Sequence, residues 1–187
     1  MKKIFNLALL VVLAFSFTSC FKDSKVIFNG AFVEFEEAVT QPQLALLEGQ
    51  KIPSYPSFPV VLVQRTAGER RMRVNLVAAQ QAAAQTVTFQ VDADATEAAI
   101  AALRSLSQFR TANLVPAVAG THFTLGSNGS VTIPANSSFG DAVVNLINTP
   151  ASTTPNSFGV VVFTLVGNDL LKPNTNYKRL GIRIPLN

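Results

Sequence analysis

"VVLVQRTAGERRMRVNLV", residues 60–77, holds the pattern that decides the fold. In its second half Met72, Val74 and Leu76 share one side, and Arg71, Arg73 and Asn75 share the other. A period of two marks a β-strand with one face in a core and one in water. Two β-rich runs flank Ala67-Gly68-Glu69-Arg70, so the spacing predicts a hairpin closed by a glycine-containing loop.

The same signal recurs on both sides of this stretch. "AFVEFEE" (31–37) alternates, with Val33 and Phe35 on one face, and predicts an edge strand. Residues 38–59 contain four prolines and predict an irregular segment. "TVTFQVD" (86–92), Val131 with Ile133, "DAVVNLIN" (141–148), "FGVVVFTLVG" (158–167) and "NYKRLGIRIPL" (176–186) add further strands. Ser127-Asn128-Gly129 tolerate positive φ and suit a tight turn. Pro134 ends its strand because it has no N–H for the ladder.

One segment changes period. In "DATEAAIAALRSLSQF" (94–109), Ala99, Ile100, Leu103 and Leu106 recur at helical spacing. Asp94 and Glu97 stand three apart, as in a capping box. The expectation is an all-β, antiparallel immunoglobulin-like sandwich of about eight or nine short strands with one inserted helix, near 95–109. Residues 31–187 suffice for a single domain.

Composition excludes several function classes. The chain carries one cysteine, which rules out an internal disulfide framework, and one histidine, which rules out a multi-histidine metal site. The formal charge of +4 includes Lys2 and Lys3. Without them the chain is nearly balanced, and no clustered basic surface for nucleic acid is expected.

Residues 1–19 have the three parts of a secretory signal: Lys2 and Lys3, the apolar run Ile4 to Phe15, and small polar residues before a cleavage point. The run is too short for a membrane span of about 18 or more apolar residues. Phe17-Thr18-Ser19-Cys20 resembles the bacterial lipobox. That resemblance implies that Cys20 is lipidated and becomes the first mature residue, with 20–30 as the tether. Several acyl chains on one residue would give stable anchoring. "FKDSK" (21–25) resembles the surface-export signal of Bacteroidota-type lipoproteins, and it also suits a solvated linker. The localisation implied is the outer membrane, lipid-anchored and facing outward.

"AVAGTHFTLGSNGSVTIPANSSFGDAVVNLIN" (117–148) is similar to the Calx-β-like pattern, and "LKPNTNYKRLGIRIPL" (171–186) resembles the end of many Bacteroidota surface-lipoprotein domains of unknown function. The resemblance implies an immunoglobulin-like sandwich on a lipid tether, occurring in or beside polysaccharide-utilisation systems. Calcium-binding relatives cluster acids at loop ends. Here His122 takes the acid's place, and Asp92, Asp94, Asp141 and Asp169 are scattered. A site of six to eight hard oxygens is therefore not expected, nor any other metal or cofactor.

Few residues stand out as sites. His122 lacks a nucleophile or paired acid at informative spacing, and "GSNGS" lacks the Gly-Lys-Ser/Thr step of a phosphate loop. No catalytic constellation is present, and a non-enzyme is expected. Arg65, Arg70, Arg71 and Arg73 either meet acidic groups of a ligand or form a solvated face that discourages edge pairing. Tyr55 and Phe58 in "PSYPSFP" either stack on sugar rings or cover the end of the sandwich. Expected partners are the membrane, through the lipid on Cys20, and outer-membrane glycan-uptake proteins or polysaccharide. The leading expectation is an accessory or binding module, with glycan capture as its role. The alternative is a structural or adhesive surface subunit.

Overall fold

The computed structural model describes residues 30–41, 58–64, 66–148 and 150–187. The leader, Cys20 and most of the tether lie outside the described residues.

The elements run β1 (Phe32–Phe35), α1 (Glu36–Thr40), β2 (Val60–Leu62), β3 (Gly68–Val77), β4 (Gln85–Val91), α2 (Ala93–Ser105), β5 (Asn113–Pro116), β6 (Phe123–Leu125), β7 (Ser130–Ile133), β8 (Phe139–Leu146), β9 (Ser157–Val166), β10 (Lys172–Pro173) and β11 (Arg179–Pro185). They form two facing sheets. One is five-stranded in the order β10-β1-β3-β8-β6. The other is six-stranded, β2-β11-β9-β4-β7, with β5 also paired to β9. The all-β sandwich with one inserted helix is thus the observed architecture. The strands with no counterpart among the expected ones are short: β5 has four residues, β6 three and β10 two. Such lengths show no periodicity in sequence.

Burial follows the alternation. Met72, Val74 and Leu76 of β3 are buried, while Arg71 and Arg73 are exposed. Inside the sandwich Phe163 is the hub. Phe89 and Phe123 approach it edge-on, with ring centroids 5.7 and 5.6 Å away. Each such pair contributes about 0.5–1.5 kcal/mol beyond its buried area. β9 does not alternate, because both of its faces are covered. Val161, Phe163 and Leu165 face the sandwich core. Val160 and Val162 face a second core formed with Ala99, Ile100, Leu103 and Leu106 of the helical segment.

Four local expectations are corrected. The two runs around Gly68 do not form a hairpin. β2 pairs in parallel with β11, whereas β3 pairs with β1 and β8 in the other sheet. The chain therefore passes between sheets, roughly 10 Å apart, after Leu62 and before Gly68. A chain length that suits a hairpin loop suits an arch equally well. The helix is capped by Asp92, not Asp94: Asp92 Oδ1 accepts the Ala95 N–H at 3.0 Å. The helix also stops at Ser105, because Leu106 is extended, and Ser107–Phe109 form a separate 3-10 turn. Lastly, the strand 31–37 ends at Phe35, and Glu36 and Glu37 open the one-turn helix α1. Two acids in a first turn favour that positive helix end.

The Ser127-Asn128-Gly129 turn lies where expected, with φ of 49°, 52° and 78°. It joins β6 to β7, which belong to opposite sheets. Gly129 is required there: a Cβ would collide with the carbonyl oxygen of Phe89.

Candidate functional site

The two outer faces of the sandwich differ. The six-stranded sheet is covered by α2, which packs on Val160 and Val162. Among the described residues no helix covers the outer face of the five-stranded sheet, which is built from alternate positions of β1, β3 and β8. Register places Glu34 opposite Asn75, Asn75 opposite Phe139, Arg73 opposite Asp141, and Arg71 opposite Val143. Polar and apolar side chains are thereby interleaved in an open field.

Phe139 is the feature of that field. It is 43% exposed, whereas Phe35, Phe89, Phe123 and Phe163 fill the sandwich core. Its position on β8 explains this. Gly140, Ala142, Val144 and Leu146 take the inward positions, so Phe139, Asp141, Val143 and Asn145 must face out. The Arg73 guanidinium carbon stands 4.3 Å from the Phe139 ring centroid. Arg73 also reaches Glu36 at 3.7 Å. Arg71 holds Glu69 at 2.8 Å and Asp141 at 3.7 Å. The hydrogen bond to Glu69 is the main cause holding Arg71 more firmly protonated than an ordinary arginine. Exposed pairs of this kind add little stability. Their effect is to fix guanidinium and carboxylate groups around the ring.

The other residues singled out from sequence fall elsewhere. Arg70 shares the inward side of β3 with Met72, but at the strand's beginning, where it pairs with Glu37 of α1. Phe58 is 3% exposed and packs in the second core, so its ring is not offered to a ligand. Tyr55 and Arg65 lie outside the described residues. His122 closes a turn: its Nδ1 accepts the Val118 N–H at 2.8 Å, and its own N–H donates to the Val118 carbonyl at 2.8 Å. No group of three or more metal-ligating side chains occurs among the described residues. Nor is any helix among them long and apolar enough to cross a membrane.

A cleft of 330 Å³ opens at the β2–β3 arch, lined by Leu62, Val63, Gln64, Gly68, Arg70 and Leu146 among others. It lies at the end of the sandwich, apart from the Phe139 field.

Phe139 escaped the sequence reading because the strand was expected to begin at Asp141. Extending the alternation of "FGDAVVNL" back by two residues would have found it.

No family model matches the chain, and no curated protein matches it. Solved structures do resemble it. An apo-form Calx CBD1 domain is 13% identical at a TM-score of 0.49, over 83% of this chain and 96% of that one. A putative carbohydrate binding protein from Bacteroides ovatus is 8% identical at a TM-score of 0.48, over 83% of this chain but 37% of that one. A Bacteroides EndoBT-3987 structure with Man5GlcNAc product is 12% identical at a TM-score of 0.48, over 67% of this chain and 28% of that one. The chain thus spans nearly all of the first and about a third of the other two.

Proposed function

We propose that this chain is a lipid-anchored, non-enzymatic binding module of the outer cell envelope, and that it captures glycan on the outer face of its five-stranded sheet. The observation that carries the reading is Phe139 with its polar surround. An exposed ring gives a sugar an apolar platform, and Arg73, Asp141 and Asn75 supply donors and acceptors for hydroxyl groups beside it. Preset planar side chains lower the ordering cost of binding. The open form suits a polymer lying across strands better than a small molecule, which takes a concave pocket.

The anchor part rests on the Phe17-Thr18-Ser19-Cys20 motif. Display on the cell surface rests on the residues that follow it.

The test is a glycan-array screen of the full chain in detergent, followed by titration of any polysaccharide retained. Binding that is lost in Phe139→Ala, with an unchanged melting temperature, supports the reading. Absence of any ligand, or binding indifferent to Phe139, sinks it.

A further inference from the structure

A second site stands on the opposite sheet and is independent of the glycan reading. Arg183 lies on β11 and projects outward, between its register neighbours Leu62 of β2 and Val160 of β9. Its guanidinium carbon sits over two aromatic rings, 4.2 Å from the Phe109 centroid and 5.0 Å from that of Phe158. The residue is half-buried, and its Nε is fully buried with no hydrogen-bond partner.

Every other partly buried arginine among the described residues has an oxygen. Arg70 has Glu37, although its own Nε is likewise buried without a partner, and Arg179 has Asp92; Arg104, which is exposed, has the Leu114 carbonyl. Arg110 has no such oxygen shown, but it is exposed. Arg183 alone combines burial with the lack of any acceptor among the described residues. Burial also lowers its pKa below the ordinary arginine value, as expected for a cation taken from water without a counter-charge. The aromatic faces return part of that cost, but they accept no N–H. Such an arrangement is under-satisfied in the free protein.

We propose that Arg183 is the anchor of a carboxylate-binding site, with Phe109, Phe158 and the 54%-exposed Leu62 as its apolar walls. The choice of carboxylate follows from shape. A guanidinium with rings against it offers an in-plane edge; with Nε buried that edge is the pair of Nη groups, which matches a planar carboxylate in a two-pronged pair. A tetrahedral sulfate or phosphate gains less from such a slot. Removing the charge should also relieve the free protein, as replacing unpaired buried charge commonly does.

The experiment follows thermal unfolding of the full chain in detergent during titration with sodium galacturonate. Sodium chloride holds the ionic strength constant, and galactose and sodium sulfate are the comparison solutes. Ligand that binds only the folded state raises the melting temperature. The expected result is a saturable rise with galacturonate, none with galactose, and a weaker one with sulfate. In Arg183→Met the rise should vanish while the ligand-free melting temperature stays equal or higher. Arg183→Lys should need at least ten times more galacturonate for the same shift. If Arg183→Met fails to fold, the Arg183 Nε–H resonance in the wild type decides, and it should move on titration. The proposal is overturned by no galacturonate-specific rise, by an equal rise in Arg183→Met, by an equal effect of sulfate, or by an unmoved Nε–H resonance.

Discussion

Thr96 and Val162, 66 residues apart, are joined by a buried hydrogen bond in which the Val162 N–H donates to Thr96 Oγ1 at 3.0 Å. The same hydroxyl donates to the Asp92 carbonyl at 2.8 Å, and the Asp92 N–H donates to the Val162 carbonyl at 2.8 Å. One side chain thus fastens the first turn of α2 to the central strand β9. Thr96→Val keeps the shape and leaves the Val162 N–H buried without an acceptor. The expected loss is about 1–3 kcal/mol, and Thr96→Ser should recover most of it. Urea unfolding of the three proteins measures both effects.

Asp92 makes this junction depend on pH. Burial works against its ionisation, but the Ala95 N–H and the Arg179 guanidinium, 2.8 Å from Oδ2, outweigh that and hold its pKa below the usual carboxylate value. A depressed folded-state pKa means that the unfolded chain binds the proton first as pH falls. The contribution is therefore complete above the unfolded aspartate pKa of about 3.9 and is lost as pH drops through the folded value. Asp92→Asn keeps a capping oxygen but not the charge. Its stability deficit relative to wild type should be largest near neutral pH and shrink in acid. Urea titrations across the acid range check this.

Gly129 stands in left-handed backbone, with φ of 78°, against the carbonyl of Phe89. Gly129→Ala carries the left-handed cost of about 1–2 kcal/mol and must also push β4 away. The melting temperature should fall by several degrees. Gly68→Ala separates the two causes: its φ of 155° also strains an L residue, but no atom lies within 4 Å of a Cβ there, so the collision is missing. It should cost less.

These positions also show what the sequence could disclose. Alternation in "RRMRVNLV" assigns each side chain of β3 to core or water, because the strand period is two and chemistry follows it. The buried run in β9 is also visible, since covering both faces removes the polar positions. Strand partners are another matter. Nothing in Val60–Leu62 distinguishes pairing to the following strand from pairing to β11, because backbone hydrogen bonds carry no residue identity. The binding of Thr96 to Val162 was hidden for the same reason: the acceptor is a threonine in an alanine-rich helix, and its donor is a main-chain amide far along the chain. Arg183, Phe109 and Phe158 are likewise separated in sequence and meet only when β9, β11 and the 3-10 turn pack together.

Two phenylalanines separate folding from binding. Phe163 is fully buried at the centre of the aromatic cluster. Phe163→Ala should cost about 3–5 kcal/mol and leave little folded protein. Phe139→Ala removes an exposed ring and should change stability by about 0.5 kcal/mol or less. If Phe139→Ala proves as damaging as Phe163→Ala in denaturant titrations, the ring is a structural cover and the glycan platform is lost as an explanation.

The anchor is tested apart from the sandwich. Acyl chains contribute roughly 0.8 kcal/mol per buried methylene, so a multiply acylated Cys20 would hold the protein on a membrane without a spanning helix. Cys20→Ala removes the attachment atom and touches none of the described core. The variant should fold with the same melting temperature, lack the mass of the lipid, and leave the membrane fraction for the soluble one. Cys20→Ser should do the same, because a hydroxyl does not replace the thiolate as nucleophile. Retention of either variant with membranes at wild-type level would show that something other than this cysteine holds the protein there.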